Sequence, residues 1–540
     1  MKKTILFLFV ISIVSCQNKL QVDAIVMNAK VYSVNSNFEE AEAFAIKNGK
    51  FVEVGTSNDI QKKYTSEEII DAKGQTIVPG FIDAHCHFFG MGLAEQEVKL
   101  EGTTSYNEVI TRIIDFQNRK KVSFIVGRGW DQNDWETKEF PTKEKLDSVF
   151  PDIPVVLTRV DGHAMLVNQA ALNLTALNAE SHIDGGEIIL ENGKLTGVIL
   201  DAAMSEIRKV IPSISKEKST MALKDAERIC LNLGLTTVDE AGLDKSVIDL
   251  IDSLQQAGEL NIRVYAMARS DDRNLDYYLN KGIVKTNKLN VRSFKFVADG
   301  ALGSRGATLR APYSDRADHY GTLSNSFERL QSVAKRISNS KFQMNSHAIG
   351  DSANHIVLNT YKTVLKNKKD RRWRVEHAQI LSEEDFELFD DIIPSIQPTH
   401  ATSDMYWAAD RIGNERIKNG YAFKKLLNKY GKIALGTDFP VEHVSPFLTF
   451  YAAVSRQDLD QYPEDGFQIE NALTREETLK GMTIWAAYSN FEEEEKGSIE
   501  AGKLADFIIL DKDIMETPLN HIPTIKVIKT FIDGKAVYNQ

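Results

Sequence analysis

Between residues 22 and 55 apolar and polar positions alternate, the period of half-buried β-strands, and Ala45-Ile46-Lys47-Asn48-Gly49-Lys50-Phe51-Val52 places Asn-Gly between two such runs. Asn-Gly supplies the two positive-φ residues of a type I′ turn, so the chain opens with a hairpin. The far end repeats the pattern: Ala505-Asp506-Phe507-Ile508-Ile509-Leu510 and residues 525–538 read as strands, the second turning at Asp533-Gly534. Residues 21–75 and 498–540 together therefore predict one small β-sandwich domain.

In between, short apolar runs alternate with helical stretches, the order of parallel βα units. The runs predict strands at 76–83, 235–239, 262–268, 293–298, 342–345, 372–376, 392–397 and 432–435. Eight such strands close a (β/α)8 barrel of the TIM type, an α/β fold spanning residues 76–497. The first two strands are separated by about 150 residues, far more than a βα connection needs, so an insertion is expected at about 92–220. It carries its own hairpin signal, Glu191-Asn192-Gly193-Lys194, and two tryptophans, Trp130 and Trp135, that either line an apolar pocket or pack a core. Loops leaving the carboxyl ends of barrel strands face the active site, and the insertion is read as a lid or substrate-selecting cap.

The first residues follow a different rule. Lys2 and Lys3 precede the apolar stretch from Ile5 to Val14, which is too short to span a bilayer and has the form of a signal-peptide core. Ile13-Val14-Ser15-Cys16 resembles a bacterial lipobox, so residues 1–16 are expected to be a lipoprotein signal and Cys16 the lipidated residue that anchors an exported, periplasm-facing protein to a membrane.

With 42% hydrophobic and 26% charged residues, the 540-residue chain has ordinary globular composition. Its 65 basic and 76 acidic side chains give a net charge of -11, which speaks against nucleic acid as partner and leaves a small molecule as the expected substrate. An assembly of identical chains is compatible with this composition. The runs Glu492 to Glu495 and Lys366 to Arg372 predict solvated faces. Apart from Cys16 only Cys86 and Cys230 are present, and no structural disulfide is expected.

Candidate chemistry gathers at the strand ends. His85 and His87 form an i, i+2 pair that an extended chain directs to one side, and two neutral imidazoles begin a zinc site. His347, His377 and Asp438 each lie just past an apolar strand, where barrel side chains converge on one mouth. In Ser293-Phe294-Lys295-Phe296-Val297 alternation sends Lys295 opposite to two phenylalanines and hence inward. Burial favours its neutral amine, which can take up carbon dioxide as a carbamate able to bridge two metal ions; pairing with a carboxylate such as Asp299 is the alternative. His163, His400 and Arg305 sit in polar or Gly-flanked segments that either reach substrate or serve loop structure.

These residues recur in a set of ordered motifs: Asp83-Ala84-His85-Cys86-His87, Arg159-Val160-Asp161-Gly162-His163-Ala164, Asp299-Gly300-Ala301-Leu302-Gly303-Ser304-Arg305, His347-Ala348-Ile349-Gly350-Asp351, Glu376-His377-Ala378-Gln379, Gln397-Pro398-Thr399-His400, Gly436-Thr437-Asp438-Phe439-Pro440 and Gly497-Ser498-Ile499-Glu500-Ala501-Gly502-Lys503-Leu504-Ala505-Asp506. Over nearly the whole mature chain they resemble the amidohydrolase superfamily, in the amidohydrolase 3 or YtcJ-like branch that includes N-substituted formamide deformylase. The resemblance implies one or two divalent metal ions, zinc foremost: His85 and His87 on one, His347 and His377 on a second, carboxylated Lys295 bridging, and Asp438 as both ligand and catalytic proton carrier. It implies hydrolysis of a non-peptide carbon–nitrogen bond of amide or N-formyl type. A cyclic amidase, a deaminase, or a lipid-anchored binding protein that has lost catalysis are the alternative readings.

Overall fold

The structure is a computed structural model that describes residues 19–183 and 186–540. Residues 1–16, expected to be a lipoprotein signal, and with them Cys16, lie outside the described residues, among which no helix is long and apolar enough to cross a membrane. The chain forms two compact units. One holds the residues up to Cys86 with Cys230–Ile248 and Asn261–Gln540; the other holds His87–Ile229 and Asp249–Leu260.

In the first unit a β-sandwich is built from both chain ends. A four-stranded sheet runs Lys50–Gly55, Ala43–Lys47, Ala24–Met27, Glu68–Asp71. A six-stranded sheet runs Lys535–Asn539, Val527–Ile532, Phe507–Leu510, Thr76–Pro79, Lys30–Tyr32, Glu40–Ala41. Both predicted tight turns are present, with positive φ at Asn48 and Gly49 (53° and 74°) and at Asp533 and Gly534 (51° and 71°). Inward positions of the two sheets share one core, in which the Phe507 ring stacks on Phe531 (centroids 4.2 Å apart) and meets Phe44 edge-on at 4.9 Å. Each such ring removed from water contributes about 1.5–3 kcal/mol.

Eight parallel strands follow, paired in chain order: β1 Phe81–Cys86, β2 Leu235–Leu243, β3 Arg263–Arg269, β4 Leu289–Val297, β5 Gln343–Ala348, β6 Arg374–His377, β7 Ile393–Ile396 and β8 Ala434–Leu435. The fold is thus the expected α/β barrel of TIM type. One strand differs from expectation: the apolar run from residue 76 is not a single barrel strand. Thr76–Pro79 pairs with Phe507–Leu510 in the sandwich, and the chain changes sheets at Gly80, whose N–H goes to Asp506 O while that of Phe81 goes to Gly234 O. Every residue of both strands is buried, so hydrophobicity carries no mark of the change. A Cβ at Gly80 would lie 2.3 Å from Thr236 Oγ1, which is why glycine stands at the crossing.

Short strand β8 is joined to β1 through its loop. Asp438 N donates to His85 O (2.8 Å), and Asp83 accepts from Thr437 N (3.1 Å) and Thr437 Oγ1 (2.7 Å). The approach is so close that a Cβ on Gly436 would stand 2.5 Å from His85 N. Deeper in the barrel, fully buried Arg374 is held by Asp239 (3.0 Å) and Asn490 (3.1 Å). Arg263 ties β3 to the sandwich through two bonds to Asp506, at 2.6 and 2.9 Å, and one to Asp533 at 2.6 Å. A planar guanidinium matches this two-oxygen geometry.

The two charge runs are not simply solvated. Glu492 is buried, with Lys496 Nζ at 2.6 Å and a further ion pair to Lys285. Arg372 stacks over the rings of Tyr488 (3.9 Å) and Phe491 (4.4 Å). Both runs adjoin elements that bury their charged ends, a property that composition does not show.

The second unit contains a six-stranded sheet in the order Val98–Lys99, Ile125–Trp130, Val155–Arg159, Ala164–Val167, Lys194–Asp201, Gly186–Glu191. Its outer hairpin turns at Asn192 and Gly193, with φ of 51° and 73°. Trp130 and Trp135 belong to its core beside Leu146, Phe150 and Leu157. Trp130 Nε1 donates to Leu157 O at 2.9 Å, so packing rather than a pocket accounts for it. Cys86 and Cys230 are both buried, and neither forms a disulfide among the described residues.

Candidate active site

The site is built from strand ends, where backbone geometry sets the direction of each side chain. At the end of β1, His85 is fully buried and its Nδ1 is 2.6 Å from Glu376 Oε2 on β6. A carboxylate oxygen only accepts, so Nδ1 carries the proton and Nε2 is the lone-pair nitrogen. Nε2 faces Lys295 Nζ at 2.9 Å and Asp438 Oδ1 at 3.6 Å.

Lys295 does point inward from β4, while Phe294 packs outward against Phe342 and Tyr278. Asp299 is not its hydrogen-bond partner. That carboxylate is occupied by the backbone N–H groups of Thr308, Ile349 and Gly350, at 2.8 to 3.0 Å, and so braces the loop after β5. Burial lowers the pKa of Lys295 even though Glu376 and Asp438 pull the other way. The amine is thereby biased toward its neutral, carbon-dioxide-reactive form.

His377 ends β6 with φ of +73°, followed by Ala378 at +42°, and Asp438 has φ of +63°. Left-handed backbone at non-glycine residues costs of order 1–3 kcal/mol each and survives only where the surroundings enforce it. The His377 ring is held by Gln397 Oε1, 2.7 Å from Nδ1; if that oxygen accepts, Nε2 is again the lone-pair nitrogen. His347 from β5 packs edge-on to His377 with centroids 4.5 Å apart. Its buried Nε2 makes no hydrogen bond, and Asp299 Oδ1 is 3.6 Å away.

His85 is held neutral by burial and, after it, by Lys295. The same two causes push His347 down to about 3, while burial and the neighbouring His347 lower His377 well below the usual histidine range. Three buried imidazoles whose pKa values are pushed below the usual histidine range, one with an orphaned buried nitrogen, are the kind of donor set a divalent metal requires, so the residues fit such an ion.

His400 stands on the other side of Asp438. Its Nε2 is 3.4 Å from Asp438 Oδ2 and its Nδ1 2.9 Å from Glu442 Oε1. Burial would lower its pKa, but the two carboxylates outweigh burial and raise it to about 10. His377, His400 and Asp438 offer ligand atoms that all lie within 4.8 Å of one another.

The remaining sequence-based candidates are His87, His163 and Arg305. His87 is half-buried, caps the helix Phe88–Ala94 and is the first residue of the second unit. His163 lies in that unit with its side chain 75% exposed and Nδ1 2.8 Å from Asp201 Oδ1. Arg305 is taken up by Asp315 through bonds of 3.1 and 2.7 Å. The sequence reading assigned no role to Glu376, Asp83, Gln397 or Glu442. For Glu376 a signal existed: Arg374 and Glu376 form an i, i+2 charged pair inside a barrel strand, which places two charges on one buried face.

A parallel barrel whose strand ends bring together neutral imidazoles, a buried lysine and a carboxylate defines a metal-dependent hydrolase. The chain belongs to the amidohydrolase family, whose sequence profile matches residues 68–538. It is 31% identical to Protein LONG AFTER FAR-RED 3 of Arabidopsis thaliana, covering 96% of this chain and 91% of that one. It is 30% identical to the putative amidohydrolase YtcJ of Bacillus subtilis (94% and 98% covered) and 25% identical to N-substituted formamide deformylase of Arthrobacter pascens (96% and 98%). Among solved structures, an uncharacterized metal-dependent hydrolase from Pyrococcus horikoshii superposes with a TM-score of 0.76 at 28% identity, covering 92% of this chain and 99% of that one.

Proposed function

We propose that this enzyme hydrolyses a non-peptide carbon–nitrogen bond, of acyclic amide or N-formyl type, in a small molecule. One observation carries the reading: His85 Nε2, fixed as a lone-pair donor by Glu376, meets Lys295 Nζ at 2.9 Å and Asp438 Oδ1 at 3.6 Å. The similarity to N-substituted formamide deformylase supports the choice of bond.

In this reading His85 and His87 would hold one divalent ion, zinc foremost, and His347 and His377 a second; a carboxylated Lys295 and Asp438 would supply the anionic oxygens. When bound, such an ion lowers the pKa of water from 15.7 toward about 7 and polarises a substrate carbonyl. Asp438 accepts the proton of the attacking water and returns it to the leaving nitrogen. Burial lowers the pKa of His85 and of His377, which biases those two imidazoles against taking up that proton.

The test is to strip the protein with a chelator, reload it with zinc, count the ions, and assay N-alkylformamides, acyclic amides, cyclic amides and aminopyrimidines. Release of an amine with formate or a carboxylate is expected, together with its loss in Asp438→Asn at unchanged metal content. Ammonia or a ring-opened product would instead assign the site to a deaminase or cyclic amidase. Metal-loaded protein inert to the whole panel would leave the binding-protein reading.

A further inference from the structure

We propose that Glu442 is a positioning residue for the reaction, fixing the ring of His400 and, through that ring, the carboxylate of Asp438. The inference rests on the reading of Asp438 as proton carrier.

The geometry is a three-part brace at the ends of β7 and β8. His400 lies on the first turn of helix Pro398–Asp404, directly after β7, and its two ring nitrogens face two different carboxylates: Glu442 Oε1 at 2.9 Å and Asp438 Oδ2 at 3.4 Å. A carboxylate oxygen only accepts, so Nδ1 donates to Glu442, while Nε2 makes an ion-pair contact with Asp438 at 3.4 Å; neither a flipped nor a rotated ring keeps both partners. Glu442 is fixed in turn: Ser403 Oγ, three residues beyond His400 on the same helix, donates to the same Oε1 at 2.7 Å. Glu442 and Asp438 are four residues apart across a turn closed by Val441 N to Asp438 O (2.9 Å), so one turn presents both acids to one ring.

Other groups around the ring do not compete for it. Asp404 accepts from Gln379 and Tyr421, both at 2.8 Å, and the His377 ring lies 5.9 Å away, centroid to centroid. The side chains of His400, Asp438 and Glu442 are 13%, 9% and 18% exposed, so water is a weak substitute for either contact. With Oδ2 of Asp438 held by His400, Oδ1 is the oxygen left facing His85. Without Glu442 the ring is free to turn, Asp438 loses its fixed direction, and the reacting geometry is reached less often.

The test uses metal-loaded full-length protein. Glu442→Ala is expected to lower kcat roughly 10- to 100-fold, the usual effect of removing a group that orients a site histidine, with KM and metal content unchanged. Glu442→Gln keeps an acceptor oxygen and should restore most of kcat. A wild-type kcat in Glu442→Ala would overturn the proposal. So would a raised KM at constant kcat, which would put Glu442 on the substrate, or a loss of metal, which would make His400 a ligand.

A second readout needs no substrate. In 15N-histidine-labelled protein the His400 Nδ1 signal, assigned by its absence in His400→Asn, should move in Glu442→Ala and stay in Glu442→Gln. A signal that stays in both overturns the positioning role whatever the activity; a signal that moves as expected in a protein inert to amides counts against the proposed reaction alone. Should Glu442→Ala not fold, Ser403→Ala carries the test: kcat is expected to fall roughly 2- to 10-fold, the net worth of one hydrogen bond, and wild-type kcat with an unmoved signal overturns the proposal.

Discussion

Glu376→Gln isolates the charge that orients His85. Glu376 and His85 are both fully buried, their bond is 2.6 Å, and the other carboxylate oxygen lies 3.6 Å from Arg374 Nε. Opposing burial, His85 and Arg374 bring the carboxyl down to about 2, so it is ionised at any working pH. Gln preserves volume but offers one acceptor and one donor: with its oxygen toward His85, its NH2 meets a guanidinium that can only donate. The bond to Nδ1 changes from charge-assisted, about 1.5–3 kcal/mol, to neutral, about 0.5–1.5 kcal/mol. The difference of about 1–2 kcal/mol corresponds to roughly 5- to 30-fold weaker metal binding through Nε2, since 1.4 kcal/mol is a factor of ten. Competition against a chelating dye measures that affinity directly, and activity should recover at saturating metal. Glu376→Ala, which leaves a buried N–H without an acceptor, should lose more than Gln does. A Gln variant whose metal affinity lies within twofold of wild type would refute the assignment of Nε2 as a metal-binding lone pair.

Two further outcomes are expected. Asp506→Ala leaves the buried Arg263 guanidinium with Asp533 as its one ion-pair partner among the described residues, and breaking one side of a buried pair costs about 3–5 kcal/mol, read as a lower denaturant midpoint. Although burial opposes it, Arg263 holds the Asp506 pKa below its ordinary value, so this stabilisation is full above about pH 4 and fades as pH falls through the folded-state value. The gap between variant and wild type should therefore persist from pH 5 to 7 and close in acid. A gap that widens in acid would contradict the sign. For the proposed anchor, Cys16→Ala should release the enzyme in soluble form while wild type partitions into detergent; equal partitioning would remove the lipid.

Much of the barrel was legible because a parallel strand covered on both faces is a short continuous apolar run, and seven of the predicted runs overlap β2 to β8. The same property concealed the sheet change at Gly80, since Thr76–Pro79 and β1 are equally buried and no polar residue separates them. Strand-end position pointed to the side chains that meet around Asp438, but not to what orients them.

Four carboxylates show why. Asp83 is two residues from His85, yet it clamps Thr437 after β8. Glu376 adjoins His377, yet it holds His85, 291 positions away. Asp299 is four residues beyond Lys295, yet it accepts from Ile349 and Gly350 beside His347. Glu442 is four residues beyond Asp438, yet its bond is to His400 after β7. Each of these four strand ends thus presents one group to the mouth and one acid to a different strand end. The spacing within a segment exposes both residues, but the pairing depends on which ends the closed barrel brings face to face, a relation between segments that no single segment encodes. Since the acids brace across strands, closure of the barrel and orientation of the site are one physical event, and a fault at Gly436 or Thr437 would reach the His85 imidazole through Asp83 and the backbone before it reached any metal ion.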